Sequence, residues 1–131
     1  MSNWQPITGP LAAERLGERD APTIVFAHGF TQTANSWKPI ANHFATRGYQ
    51  VVVVDLPGHA GSSTVRADVR RTADMIAEIG GVGKSVGYSL GGRVCLHLAL
   101  MYPHLVRSLV LVGAHPGISD ADEREARRES D

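Results

Sequence analysis

The protein has 131 residues, with 13 Lys and Arg against 13 Asp and Glu and therefore no formal net charge. That balance excludes the basic footprint of a nucleic-acid binder, and 43% hydrophobic residues exclude a disordered tail. No apolar run approaches the roughly 18 residues of a membrane helix, no secretory signal opens the chain, and the single Cys95 closes no internal disulfide. A cytoplasmic globular domain is expected.

In chain order, residues 10–17 (PLAAERLG) predict an antiparallel strand that turns at Arg19-Asp20-Ala21-Pro22. Residues 23–27 (TIVFA) are nearly continuously apolar, which suits a strand covered on both faces in a parallel sheet. Trp37, Ile40, Ala41 and Phe44 recur at helical spacing, with Gly48 as the stop. Residues 50–54 (QVVVV) predict a second buried strand. Val69, Ala73, Ile76 and Ile79 predict a helix ending at Gly80-Gly81. A short strand at 85–86 precedes a helix over 90–101, apolar nearly all round and stopped by Pro103; a last strand covers 108–112. This alternation predicts an α/β doubly wound sheet.

The chemistry is concentrated at Gly87-Tyr88-Ser89-Leu90-Gly91, a G-x-S-x-G string between a predicted strand and a predicted helix. In so sharp a turn, side chains two residues either side of the serine meet neighbouring backbone. Ser89 is then held at the carboxyl edge of the sheet, where the helix dipole favours negative charge. The bland reading makes Ser89 an ordinary helix N-cap. Phe26-Ala27-His28-Gly29-Phe30 follows one strand, and Asp55-Leu56-Pro57-Gly58-His59 follows the next. Cys95, inside the helix, reads as a small core hydrophobe.

Taken together these three segments resemble the α/β-hydrolase superfamily. The resemblance implies Ser89 as nucleophile or base and the backbone amides of Phe30 and Leu90 as an oxyanion hole. It makes His28 and His59 loop-shaping residues, and takes the triad acid from a strand later than the one ending at Asp55. A further segment, His115-Pro116-Gly117 followed by 121–131 (ADEREARRESD), resembles the 2-succinyl-6-hydroxy-2,4-cyclohexadiene-1-carboxylate (SHCHC) synthase family of menaquinone biosynthesis. Ala60 stands where that family commonly has glycine. The resemblance implies a lyase that eliminates pyruvate from a small tricarboxylate, 2-succinyl-5-enolpyruvyl-6-hydroxy-3-cyclohexene-1-carboxylate. Tyr88, Arg93 and Arg127 would bind this substrate, because guanidinium groups match carboxylates bidentately. No cofactor or metal is implied. For Arg127 the bland reading is a surface pair with Glu123, an i,i+4 neighbour.

Residues 1–118 are expected to form the first part of the hydrolase core, and 119–131 the start of a lid helix. The same resemblance expects the last strands, most of the lid and the triad acid and base to be missing. It therefore expects an exposed apolar sheet edge. Two other functions use the same string: a serine esterase or C–C bond hydrolase working through an acyl-enzyme, and a noncatalytic binding module.

Overall fold

A computed structural model of the protein describes residues 3–113. Six strands form one mixed sheet: β1 (Gln5–Ile7), β2 (Ala13–Leu16), β3 (Thr23–Ala27), β4 (Gln50–Val54), β5 (Gly83–Tyr88) and β6 (Val106–Val112). Their spatial order is β1-β2-β4-β3-β5-β6. β1, β2 and β4 pair antiparallel, whereas β4, β3, β5 and β6 run parallel. Three helices connect them: α1 (Lys38–Ala45), α2 (Val69–Gly80) and α3 (Leu90–Met101).

The alternation of β-strand side chains divides the core into two layers. Ile24 and Phe26 of β3 and Val51 and Val53 of β4 face Ala41 of α1. Val25, Ala27, Val52 and Val54 point the other way, against Ala73 and Ile76 of α2 and Val94, Cys95 and Leu98 of α3. All five β3 residues are buried, as a strand with both faces covered requires. From β3 the chain crosses through α1 to β4, then passes back through α2 to β5 on the other side of β3. The connections therefore diverge between β3 and β5, the place where such sheets open a crevice at their carboxyl ends.

Several expected boundaries shift. The residues read as one N-terminal strand yield β2, and β1 is an additional strand. β5 extends well beyond 85–86 because pairing with β3 and β6 carries through Gly83, Lys84 and Tyr88. Trp37 does not open a helical turn of α1; it ends a 3-10 turn, Ala34–Trp37, capped by the Thr33 hydroxyl. α3 has the expected bounds but is not enclosed all round, with Arg93 and Leu100 exposed. β6 is an edge strand among the described residues, and its Val110 and Val112 are 50% and 45% exposed.

Candidate active site

Ser89 joins β5 to α3 with φ 52 and ψ −111, a conformation L-residues avoid. Its N–H donates to the Val112 carbonyl at 2.8 Å, so β6 holds the turn in register. Its carbonyl accepts the Arg93 N–H at 3.1 Å and starts the helix. The hydroxyl makes no capping bond, which excludes the plain N-cap reading. Sterics account for the flanking glycines. A Cβ on Gly87 would lie 2.4 Å from the Gly91 carbonyl oxygen, and one on Gly91 would lie 2.2 Å from that of Ala27. The second contact also shows how tightly α3 abuts the loop after β3.

That loop is held by two histidines. His28 is fully buried; its Nδ1–H donates to the Gly29 carbonyl at 2.7 Å and its Nε2 accepts the Leu56 N–H at 3.0 Å. Burial pushes its pKa below 6.5, with the Gly29 carbonyl bond opposing. His59 repeats the pattern: Nε2 accepts the Thr31 N–H at 3.2 Å, and Nδ1–H donates to the Pro57 carbonyl at 3.0 Å. The backbone partners require the neutral Nδ1–H tautomer in both rings. Each ring has both nitrogens engaged, and the rings meet edge to face at 4.9 Å. Both histidines therefore stitch loops.

Asp55 is a third stitch, missed when the sequence is read for catalytic acids. One carboxylate oxygen accepts the Ala34 N–H at 2.8 Å and the other the Gly61 N–H at 3.2 Å. The contact is tertiary, and only the position of Asp55 at a strand end hints at it.

Phe30, one of the two residues read as oxyanion donors, lies in the β3 loop with its side chain 71% exposed and its ring edge on His59. Leu90 is the first residue of α3, where helix N–H groups have no intrahelical partner. Its side chain lines a cavity of about 60 Å³ with Leu56, Pro57, Val69 and Val94. Tyr88 is 40% exposed at the end of β5, and Arg93 is exposed one turn after Ser89. The fold thus brings Phe30, Tyr88, Ser89 and Leu90 to one end of the sheet. Arg127 and the segment 119–131 lie outside the described residues. Among the described residues no base hydrogen-bonds the Ser89 hydroxyl. Cys95 is buried, and desolvation pushes its thiol up to about 12, which suits a core residue.

Residues 22–130 match the family model described as alpha/beta hydrolase fold. The chain is 35% identical over 126 residues to a 2-succinyl-6-hydroxy-2,4-cyclohexadiene-1-carboxylate synthase of Klebsiella pneumoniae, covering 92% of this chain and 49% of the relative. It is 37% identical over 123 residues to the synthase of the same name from Salmonella paratyphi C, covering 88% and 47%. The chain therefore spans about half the length of the curated relatives it matches. Among solved structures, Epoxide Hydrolase A from Mycobacterium thermoresistibile superposes with a TM-score of 0.81 at 26% identity, covering 99% of this chain and 45% of that one. On the match across most of its length, and the sheet and elbow that go with it, the chain belongs to the alpha/beta hydrolase fold family.

Proposed function

We propose that this chain is the nucleophile-bearing part of an SHCHC synthase, a lyase that eliminates pyruvate from 2-succinyl-5-enolpyruvyl-6-hydroxy-3-cyclohexene-1-carboxylate. The observation that carries it is the Ser89 elbow on a chain similar to SHCHC synthases over most of its length. Ser89 Oγ, made basic by a histidine from outside residues 3–113, removes the ring proton that starts the elimination. The electron pair moves toward the succinyl ketone, whose oxygen gains charge opposite the Phe30 and Leu90 amides. It then returns to form the C2–C3 double bond, the ring's C3–C4 double bond shifts to C4–C5, and the C5–O bond to the enolpyruvyl group breaks. Pyruvate leaves as its enolate and takes up a proton in solution.

The substrate has three carboxylates, which Arg93, Arg127 and Tyr88 bind. Arg93 has the best structural support: it is exposed one helical turn after Ser89 and has no salt-bridge partner among the described residues. Residues 1–118 act as the first part of the core and 119–131 as the start of a lid over the substrate. The reaction is assigned to the cytoplasm.

The alternative is an esterase or C–C bond hydrolase, favoured by the same elbow because acyl transfer uses the same two amides. The two are separated in a chimera in which residues 1–131 replace the matched half of the Klebsiella synthase. Labelling of Ser89 by a fluorophosphonate reports that the site has assembled. Pyruvate release without an acyl-enzyme, abolished by Ser89→Ala, is the expected result. A labelled chimera that forms an acyl-enzyme and releases no pyruvate contradicts the lyase reading.

A further inference from the structure

Tyr88, the residue before Ser89, sits between two glycines that follow neighbouring strands, Gly29 after β3 and Gly113 after β6. β5 lies between β3 and β6, and Tyr88 pairs in register with Val112. A Cβ on Gly29, in the loop after β3, would lie 2.7 Å from Tyr88 Cδ1 and 3.0 Å from Cε1. A Cβ on Gly113, just after β6, would lie 3.3 Å from Cε2 and 3.8 Å from Cδ2 of the opposite ring edge. The ring therefore lies in a slot whose walls are the backbone of two loops, while 40% of the residue stays open to solvent.

The wall at Gly29 is fixed. Its N–H donates to Gln32 Oε1 at 2.9 Å, and its carbonyl accepts the Gln32 N–H at 3.1 Å and the His28 Nδ1–H at 2.7 Å. Gly29 is not among the positive-φ glycines, so its backbone alone would accept an L-side chain. The Tyr88 ring is the nearest obstacle to one, with Gln32 Oε1 next at 3.2 Å. Gly113 has φ +63 and so has a backbone reason of its own to be glycine.

We propose that Gly29 is a positioning residue for Tyr88: with Gly113 it forms a slot that holds the aromatic ring beside the nucleophile elbow. A methyl group at position 29 meets a backbone pinned by three hydrogen bonds on one side and the ring on the other. The ring yields, and with Gly113 behind it, it swings outward to solvent. That Tyr88 then faces substrate rests on the function proposed above. The slot does not, and it is measured without substrate.

The test uses the 131-residue protein and its Gly29→Ala variant. Nitration of Tyr88 by tetranitromethane is followed by mass spectrometry of the tryptic peptide, with Tyr49 as internal reference. Tyr88 is expected to react several-fold faster in Gly29→Ala, and Tyr49 at an unchanged rate. In parallel, Gly29→Ala is expected to lower the thermal midpoint in the parent but not in a Tyr88→Ala background. An unchanged Tyr88 rate in a folded Gly29→Ala protein overturns the proposal, as does an equal loss of midpoint in both backgrounds. If Gly29→Ala alone fails to fold, recovery of folding in the double variant supports the slot, and failure of the double variant overturns it.

Discussion

The Leu56 N–H, just past the end of β4, donates a 3.0 Å hydrogen bond to Nε2 of His28, just past the end of β3. The bond exists only while the buried imidazole is neutral, because a protonated ring has no acceptor at that nitrogen. Burial accordingly holds the folded-state pKa of His28 below the 6.5 of an exposed histidine.

The sign of the pH effect follows. Between the lowered folded pKa and 6.5 the unfolded chain binds the proton that the folded chain refuses. This contribution is complete above pH 6.5 and is lost on acidification through that window, at up to about 1.4 kcal/mol per pH unit. Urea unfolding across this range should show that slope, and His28→Gln should flatten it while lowering stability at neutral pH.

Asp55 yields a prediction through its two acceptor oxygens. Ala34 and Gly61 each direct a backbone N–H at one of them. In Asp55→Asn one of those amides must face an NH₂ donor, whichever way the new side chain is turned. The expected cost is about 1–3 kcal/mol in chemical unfolding, with Asp55→Ala at least as harmful.

Ala60 has φ 41, left-handed backbone at a residue with a Cβ, at the start of the 3-10 turn Ala60–Ser62. Ser62 in that turn is fully buried and its hydroxyl accepts the Ala12 N–H at 2.9 Å, so the turn is held in place from below. Ala60→Gly removes the strain, and the greater freedom of glycine in the unfolded chain offsets part of the gain. A net stabilisation of about 0.5–1 kcal/mol is expected in the same unfolding assay.

Legibility from sequence followed the physical origin of each feature. β3 and β4 are apolar apart from their first residues, Thr23 and Gln50, because both faces of each strand are covered. α3 spans the residues its pattern predicts, since Ser89 cannot be helical and Tyr102 precedes a proline. β1 left no readable pattern: three residues, one of them Pro6, with none buried, are strand only because β2 pairs with them. β5 reads as two residues and forms six, because Gly83, Lys84 and Gly87 join it through pairing with β3 and β6 and Tyr88 through pairing with β6. Gly87 was legible because a local clash with the Gly91 carbonyl dictates it, whereas Gly91 was legible only through the G-x-S-x-G string, since its own clash is with the distant Ala27 carbonyl. The Asp55 bridge and the Tyr88 slot were not, because their partners lie far off in sequence.

The central claim is that Ser89 is held by its surroundings in a backbone conformation that a side chain resists. Unfolding free energies of Ser89→Gly and Ser89→Ala test it most directly. At an ordinary N-cap glycine is already better than alanine by about 1 kcal/mol, and a strained positive-φ position adds about 1 kcal/mol or more to that gap. Ser89→Gly should be the more stable by about 2 kcal/mol, and more stable than the parent serine as well. A gap of about 1 kcal/mol or less, with Ser89→Gly no more stable than the parent, would contradict the account.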